Sequence, residues 1–367
     1  MVRKPATGRE DGLRLGLSVL DLIPLVEGGT SVAALRGATE LAQAADSLGY
    51  TRLWYAEHHN LPGIVATTPE ILIAHVGPMT SRIRLGAGGV MLPNHSPLKV
   101  AESYKLLEAL HPGRIDLGIG RAPGTDSVTA FALRRSRQAL TADDFLEQLG
   151  ELIAWGSGEF PPGHPFHSIR AIPDDRPLPP FYILGSSDYG AKLAAEMGVG
   201  FAFAGHFSPD PPDLPMRAYR TGFSRNGMLS KPHAILALPV YCADTEEAAQ
   251  RLASSMLLSF VQLRTGHPGR LPSPEVAMAH VFTPQEQQIA AFYKKIQIVG
   301  TPEQVRARIE DIATRTEADE VMIVTHAYDL AARIRSYALV AQAFGLPENT
   351  PPGAERNRAA MVVTGDA

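Results

Sequence analysis

Cysteine is almost absent from this chain of 367 residues: Cys242 stands alone. A single cysteine excludes an internal disulfide framework, and the expectation is a reducing, cytoplasmic compartment. Basic residues never run longer than a pair and the formal net charge is -4, so neither a nucleic-acid nor a membrane-surface role has an electrostatic footprint. No apolar stretch approaches the roughly 20 residues that span a bilayer, and Met1 to Leu13 lacks the apolar segment of a signal peptide. Gly-x-Ser-x-Gly elbows and Walker sequences are missing too, which removes the commonest hydrolase and nucleotide-phosphate motifs.

What is present is apolar material in short, regularly punctuated runs. Hydrophobic residues make up 45% of the chain and charged residues 20%, enough for a large core. Buried strands are expected at Leu13–Leu20, around Leu53, at Ile83–Val90, Ile115–Ile119, Phe181–Leu184, Phe201–Ala204, Ala234–Val240 and Glu320–Thr325. Helical material follows each one: a helix capped by Ser31, others at 69–80 and after Ser96-Pro97, a helical region over 125–155, and a last helix over 329–344. Thr301-Pro302-Glu303-Gln304 reads as a capping box. Eight strands, each followed by helix and with no linker between them, predict a (β/α)8 TIM barrel at 13–346; a doubly wound sheet is the rival. Residues 1–12 read as a disordered leader and 347–367 as a loose tail. Proline- and glycine-rich stretches at about 156–180, 206–232 and 266–300 read as insertions, the longest before the eighth strand.

Polar residues gather where strands end, the face on which parallel α/β proteins do chemistry. Leu53-Trp-Tyr-Ala leads straight into Glu57-His58-His59-Asn60. One of two adjacent histidines is expected to be a hydrogen-bonded structural residue, since neighbours on a strand point opposite ways. That geometry also disfavours a metal, although His206 and His326 lie at later strand exits. The run Gly86-Ala-Gly88-Gly89 weakens a buried strand unless something must approach it closely. Gly118-Ile-Gly120-Arg121-Ala-Pro-Gly124 has its third glycine misplaced for a dinucleotide fingerprint. It reads either as a strand exit with Arg121 facing a phosphate or as a plain turn. Gly185-Ser186-Ser187 opens a helix, as an anion site or as a simple cap. Cys242 has no activating motif and reads as packing.

LWYAEHHN (53–60), LGAGGVMLP (85–93), RIDLGIGR (114–121) and LGSSDYGAKLAAEM (184–197) together resemble the bacterial luciferase-like flavin monooxygenases, over about residues 13–345. That resemblance implies a barrel binding reduced FMN, or in some branches a deazaflavin coenzyme, at the strands' carboxyl ends. It implies His58 as the catalytic histidine, with Glu57 orienting the strand end beside the cofactor. It places a non-proline cis peptide at Gly88-Gly89 beneath the isoalloxazine, with Gly120 near by, and Arg121, Ser186 and Ser187 at the cofactor phosphate. The implied partners are O2, a small organic substrate, a separate flavin reductase and a second copy of the chain. Trp54, Phe203 and Phe207 near the mouth favour an apolar or aromatic substrate, and 266–300 is the candidate lid. A deazaflavin-dependent hydride transfer and a flavin-binding protein without turnover are the alternatives.

Overall fold

The computed structural model describes residues 15–141 and 143–348. The expected leader and most of the expected tail therefore lie outside the described residues. Short apolar strands bracketed by glycine, proline and polar turns alternate with amphipathic helices along the chain. They are β1 (Gly16–Asp21), α1 (Ser31–Ser47), β2 (Arg52–Tyr55), α2 (Pro69–Val76), β3 (Arg84–Met91), α3 (Pro97–Leu110) and β4 (Ile115–Gly120). Next come α4 (Ser127–Arg134), α5 (Arg137–Thr141), α6 (Phe145–Ser157), β5 (Phe181–Gly185), α7 (Asp188–Met197), β6 (Gly200–Phe203), α8 (Asp213–Gly222) and β7 (Ala234–Cys242). The series ends with α9 (Glu246–Arg264), α10 (Pro274–Ala279), α11 (Pro284–Ile296), β8 (Ile298–Gly300), α12 (Pro302–Thr316), β9 (Glu320–Val324) and α13 (Leu330–Phe344).

Strands β1 to β7 and β9 pair in parallel, and the pairings β1–β9, β7–β9 and β6–β7 close the ring. This is an eight-stranded (β/α)8 barrel. β8 stands outside the ring: it pairs with Val240–Cys242, while β9 pairs with Ile235–Pro239 of the same strand. Outward strand residues such as Leu17, Leu53, Leu117 and Val321 pack with the helices in the main core, whereas Leu20, Trp54, Tyr182, Ile235 and Met322 fill the interior.

Several local details depart from the sequence expectation. Thr30, not Ser31, caps α1, its hydroxyl accepting the Ala33 N–H at 3.2 Å. The helical region at 125–155 is three helices, broken first at Arg135, which adopts left-handed φ 60°. The proline-rich stretch after β6 contains α8, a barrel helix that buries Pro215, Met216 and Tyr219. Its prolines sit at the cap and in the first turn, where a missing N–H costs nothing. The 266–300 stretch, expected as an insertion, is built of α10, α11 and β8. The expected capping box does form: the Gln304 carboxamide oxygen accepts the Thr301 N–H at 3.0 Å, the Thr301 hydroxyl accepts the Gln304 N–H, and that hydroxyl also donates to Glu303.

Below the open end, the barrel interior is plugged by charge. Arg52 on β2 donates to Asp116 on β4 at 2.8 Å and to both carboxylate oxygens of Glu320 on β9 at 2.7 and 3.0 Å. Arg84 grips the other Asp116 oxygen at 2.7 Å. Asp116 also accepts the Trp54 indole N–H at 3.1 Å, Tyr182 accepts from Arg52 at 3.0 Å, and Ser18 donates to Glu320. Two cations and two anions thus balance inside the barrel. Removing one partner of a buried, hydrogen-bonded set strands the others. Arg52→Met should therefore cost about 3–5 kcal/mol of unfolding free energy, read from urea denaturation; a loss within experimental error would show that the plug does not hold the barrel together.

Candidate functional site

The indole of Trp54, fastened to Asp116, forms the floor of a cavity of about 260 Å³ at the carboxyl ends of the strands. Glycines in β3 make room for it. A Cβ on Gly86 would lie 2.6 Å from the indole nitrogen, and one on Gly88 would lie 2.9 Å from the indole ring and from Leu20. The close approach expected of these glycines is thus partly to the protein's own tryptophan. The Gly88-Gly89 peptide is cis, and the register of β3 against β4 shifts between Ala87 and Val90.

The paired histidines divide their roles. His59 Nε2 lies 2.9 Å and His95 Nε2 2.8 Å from the same Glu57 oxygen, so both rings donate to it, and the other oxygen accepts the Met91 N–H at 2.9 Å. Burial would raise the Glu57 pKa, yet the hydrogen bonds from His59, His95 and Met91 outweigh it and hold it at about 2. The same carboxylate raises His95, against the effect of burial. Glu57 therefore ties the loop after β2 to the end of β3 from behind the cavity. His58 turns the other way. It lines the cavity, its Nδ1 is buried without a partner, and burial pushes its pKa down to about 4.

Across the cavity, β4 and β5 deliver the polar residues expected at an anion. The Arg121 guanidinium stacks over the Tyr189 ring at 4.3 Å, and Tyr189 is the second residue of α7. Ser187 occupies the cap position of that helix without spending its side chain on a capping bond. Unused amides at a helix start, a hydroxyl pair and a fixed guanidinium suit a phosphate. Of the residues singled out from sequence, His58, Gly88, Gly120, Arg121, Ser186 and Ser187 all line the one cavity; Gly89 and Glu57 are not part of its lining. Trp54, Phe203 and Phe207 line it as well.

Tyr189 and His95 escaped notice in the sequence. The only signals were an aromatic in the first turn after Ser186-Ser187 and a histidine in the turn after β3. His206, entering from the end of β6, also lines the cavity. Its Nδ1 and the Nε2 of His326 are buried without partners, and His326 Nδ1 lies 3.3 Å from Met256 Sδ. Burial, with His326 and His58 adding to it, pushes His206 down to about 3; burial, then Arg333 and His58, do the same to His326. Among the described residues no three or more His, Cys, Asp or Glu are grouped to hold a metal ion. Cys242 is buried and its thiol is pushed up to about 12 by burial, so it presents no nucleophile.

A family model described as luciferase-like monooxygenase matches residues 17–320. The chain is 40% identical over 325 residues to the luciferase-like monooxygenase of Escherichia coli (strain K12), covering 89% of this chain and 96% of that one. It is 33% identical over 327 residues to the N-acetyl-S-alkylcysteine monooxygenase of Bacillus subtilis (strain 168), covering 89% and 97%. The crystal structure of apo-MsnO8 superposes with a TM-score of 0.80 at 36% identity, covering 92% of this chain and 99% of that one.

Histidines with depressed pKa values leave a pH signature. Above about pH 6.5 His58, His206 and His326 are neutral both folded and unfolded. Below it the unfolded chain takes up protons that the folded chain refuses until about pH 4 or 3, so stability falls with pH across that window. Removing one such group in His326→Leu should lessen the loss of unfolding free energy between pH 7 and pH 5 by about 2 kcal/mol. Urea denaturation at both pH values measures it, and an undiminished loss would refute the assignment.

Proposed function

Since this chain belongs to the luciferase-like monooxygenase family, we propose that it is a flavin-dependent monooxygenase that takes reduced FMN from a separate reductase and uses O2 to oxygenate a small organic substrate. The observation that carries the cofactor reading is the anion cradle on the cavity wall: Arg121 held over Tyr189 at the start of α7, next to Ser186 and Ser187. In this reading Arg121, the two serine hydroxyls and the first amides of α7 hold the phosphate. The backbone at Gly88-Gly89 and Gly120, free of side chains, receives the flat ring system, where a Cβ on Gly88 would already strike Trp54.

Reduced FMN, when bound, supplies the two electrons that let one oxygen atom of O2 pass to the substrate while the other leaves as water. The chain supplies position, dryness and a proton. Apolar Leu20, Leu22, Phe203, Ile235 and Met322 line the cavity and exclude water from the reacting atoms. His58, kept neutral by burial, accepts a proton at Nε2, the ring nitrogen not sealed from the cavity, and can return it in a later step. Glu57 acts at one remove: it fixes the loop after β2 that carries His58 against the end of β3 at Met91. The reading includes a homodimer, supported by exposed Ile71, Leu106 and Leu110 on the neighbouring helices α2 and α3. It also includes a cytoplasmic location, supported by the lone buried Cys242; no helix among the described residues is long and apolar enough to cross a membrane.

Anaerobic titration with reduced FMN and with the deazaflavin coenzyme tests the cofactor. Reduced FMN should bind the wild type, and Arg121→Ala should weaken it about tenfold or more; binding of the deazaflavin alone would move the chain to hydride transfer. His58→Ala should bind reduced FMN normally yet change the rate at which oxygen reoxidises it at least tenfold. An unchanged rate would leave His58 without a catalytic role and favour a flavin-binding protein without turnover.

A further inference from the structure

At the open end of the barrel, three imidazoles from three different strand exits come together. His58 follows β2, His206 follows β6 and His326 follows β9. They are close enough for His58 to act electrostatically on both of the others, and for His326 to act on His206. Each has one ring nitrogen buried without a hydrogen-bond partner: Nδ1 of His58, Nδ1 of His206 and Nε2 of His326. His58 and His206 keep part of their rings open to the cavity, while His326, 4% exposed, stands nearby against Met256. The other ring nitrogen of His58 and of His206, Nε2, is not sealed off and makes no hydrogen bond among the described residues, so two imidazole edges on one cavity are open to a ligand.

The charge on that wall narrows the ligand. Among the described residues Arg121 is the only Lys, Arg, Asp or Glu in the cavity lining, and its guanidinium lies over Tyr189. The histidines cannot substitute for a cation, because burial above all holds the pKa of each well below the usual histidine range. Leu22, Phe207, Ala237 and Met322 line the same cavity. A carboxylate, sulfonate or ammonium brought here would be buried without a counter-charge, a cost that hydrogen bonds from neutral imidazoles do not offset.

We propose that His206 is a substrate-binding residue which, opposite His58, selects an uncharged substrate with a single hydrogen-bonding group on an apolar body. A neutral imidazole donates from one nitrogen and accepts at the other, so the pair suits an aldehyde, an ester, an alcohol or a similar uncharged head. His326 acts through its neighbours: its ring disfavours protonation of His206 and so keeps the subsite neutral. This proposal takes the anion cradle as the cofactor's end of the cavity, as in the flavin reading.

Calorimetric titration with a matched series tests it: octanal, octanol and methyl octanoate against octanoate, octanesulfonate and octylammonium. Each is added to the protein with and without bound oxidised FMN. At least one neutral member should bind at least tenfold more tightly than every charged one. His206→Leu should weaken that binding about tenfold, the equivalent of one hydrogen bond, whereas His206→Asn, which can still donate and accept, should stay within about threefold of the wild type. Affinity for FMN should be the same in all three proteins. A charged member that binds as tightly as the neutral ones would overturn the proposal, as would failure of every neutral member to bind below millimolar concentration. Unchanged affinity in His206→Leu would do so too, and a parallel loss of FMN affinity would reduce His206 to a support of the cavity. If oxidised FMN fails to bind the wild type, the FMN-free titrations still decide this proposal, and the flavin reading stands or falls with the anaerobic titration of reduced FMN.

Discussion

The Asp116 carboxylate, buried inside the barrel, is the point on which the rest of the structure depends. One of its oxygens holds Arg52 and the Trp54 indole, and the other holds Arg84. Through Arg52 it is joined to Glu320 on the strand that closes the ring. A barrel interior filled only with aliphatic side chains would be as well sealed, and a buried ion pair is often no more stable than apolar packing of the same volume. The charged plug adds geometry. It sets β2, β3, β4 and β9 at one level and fixes the indole that becomes the cavity floor. The glycines of β3 follow as a consequence, because the strand beside a fixed indole has no room for a Cβ at Gly86 or Gly88.

Above the floor, a second carboxylate does comparable work in a different way. Glu57 has three donors and no cation beside it apart from whatever charge His95 carries. Its low pKa means that it stays an acceptor over the whole working range, so the loops after β2 and β3 remain tied together. The adjacent His58 is left with nothing to bind on the protein side. A reactive ring thus stands next to a fastened carboxylate in the loop after β2: the side chains of Glu57 and His59 bond to each other, and His58 lines the cavity.

How much of this could be read from the sequence depends on whether the deciding interaction is local. The strand and helix series was legible because each strand is a short apolar run bracketed by Gly, Pro or polar residues. α8 was not, because Pro211, Pro212 and Pro215 look like breakers unless one knows that they fall at a helix start. The convergence of His58, Arg121, Ser186 and Ser187 on one cavity could be anticipated from strand exits, since the barrel brings all such exits to one end. The plug could not. Arg52 and Glu320 are separated by 268 positions, and nothing local distinguishes Arg52 from a solvated residue at a strand start. The histidines fall between. His206 and His326 were visible as strand-end residues, but their neutrality comes from depth first and then from neighbours distant in sequence, His326 and His58 for the one and Arg333 and His58 for the other, which no local pattern encodes.

The cavity is therefore electrostatically lopsided, and the asymmetry suits a two-ligand site. At one end an exposed guanidinium and helix amides can meet a doubly charged group that remains partly in water, where the desolvation cost of an anion is small. At the other end every titratable ring is desolvated and neutral, so a charged ligand gains nothing there. An extended molecule with an anionic tail and an uncharged flat ring would enter in only one orientation, tail towards α7. The ring would then lie over the bare backbone of β3, beside His58. Orientation in such a site comes from the difference between its two ends rather than from any single contact, and the apolar walls between them enlarge that difference by lowering the local dielectric.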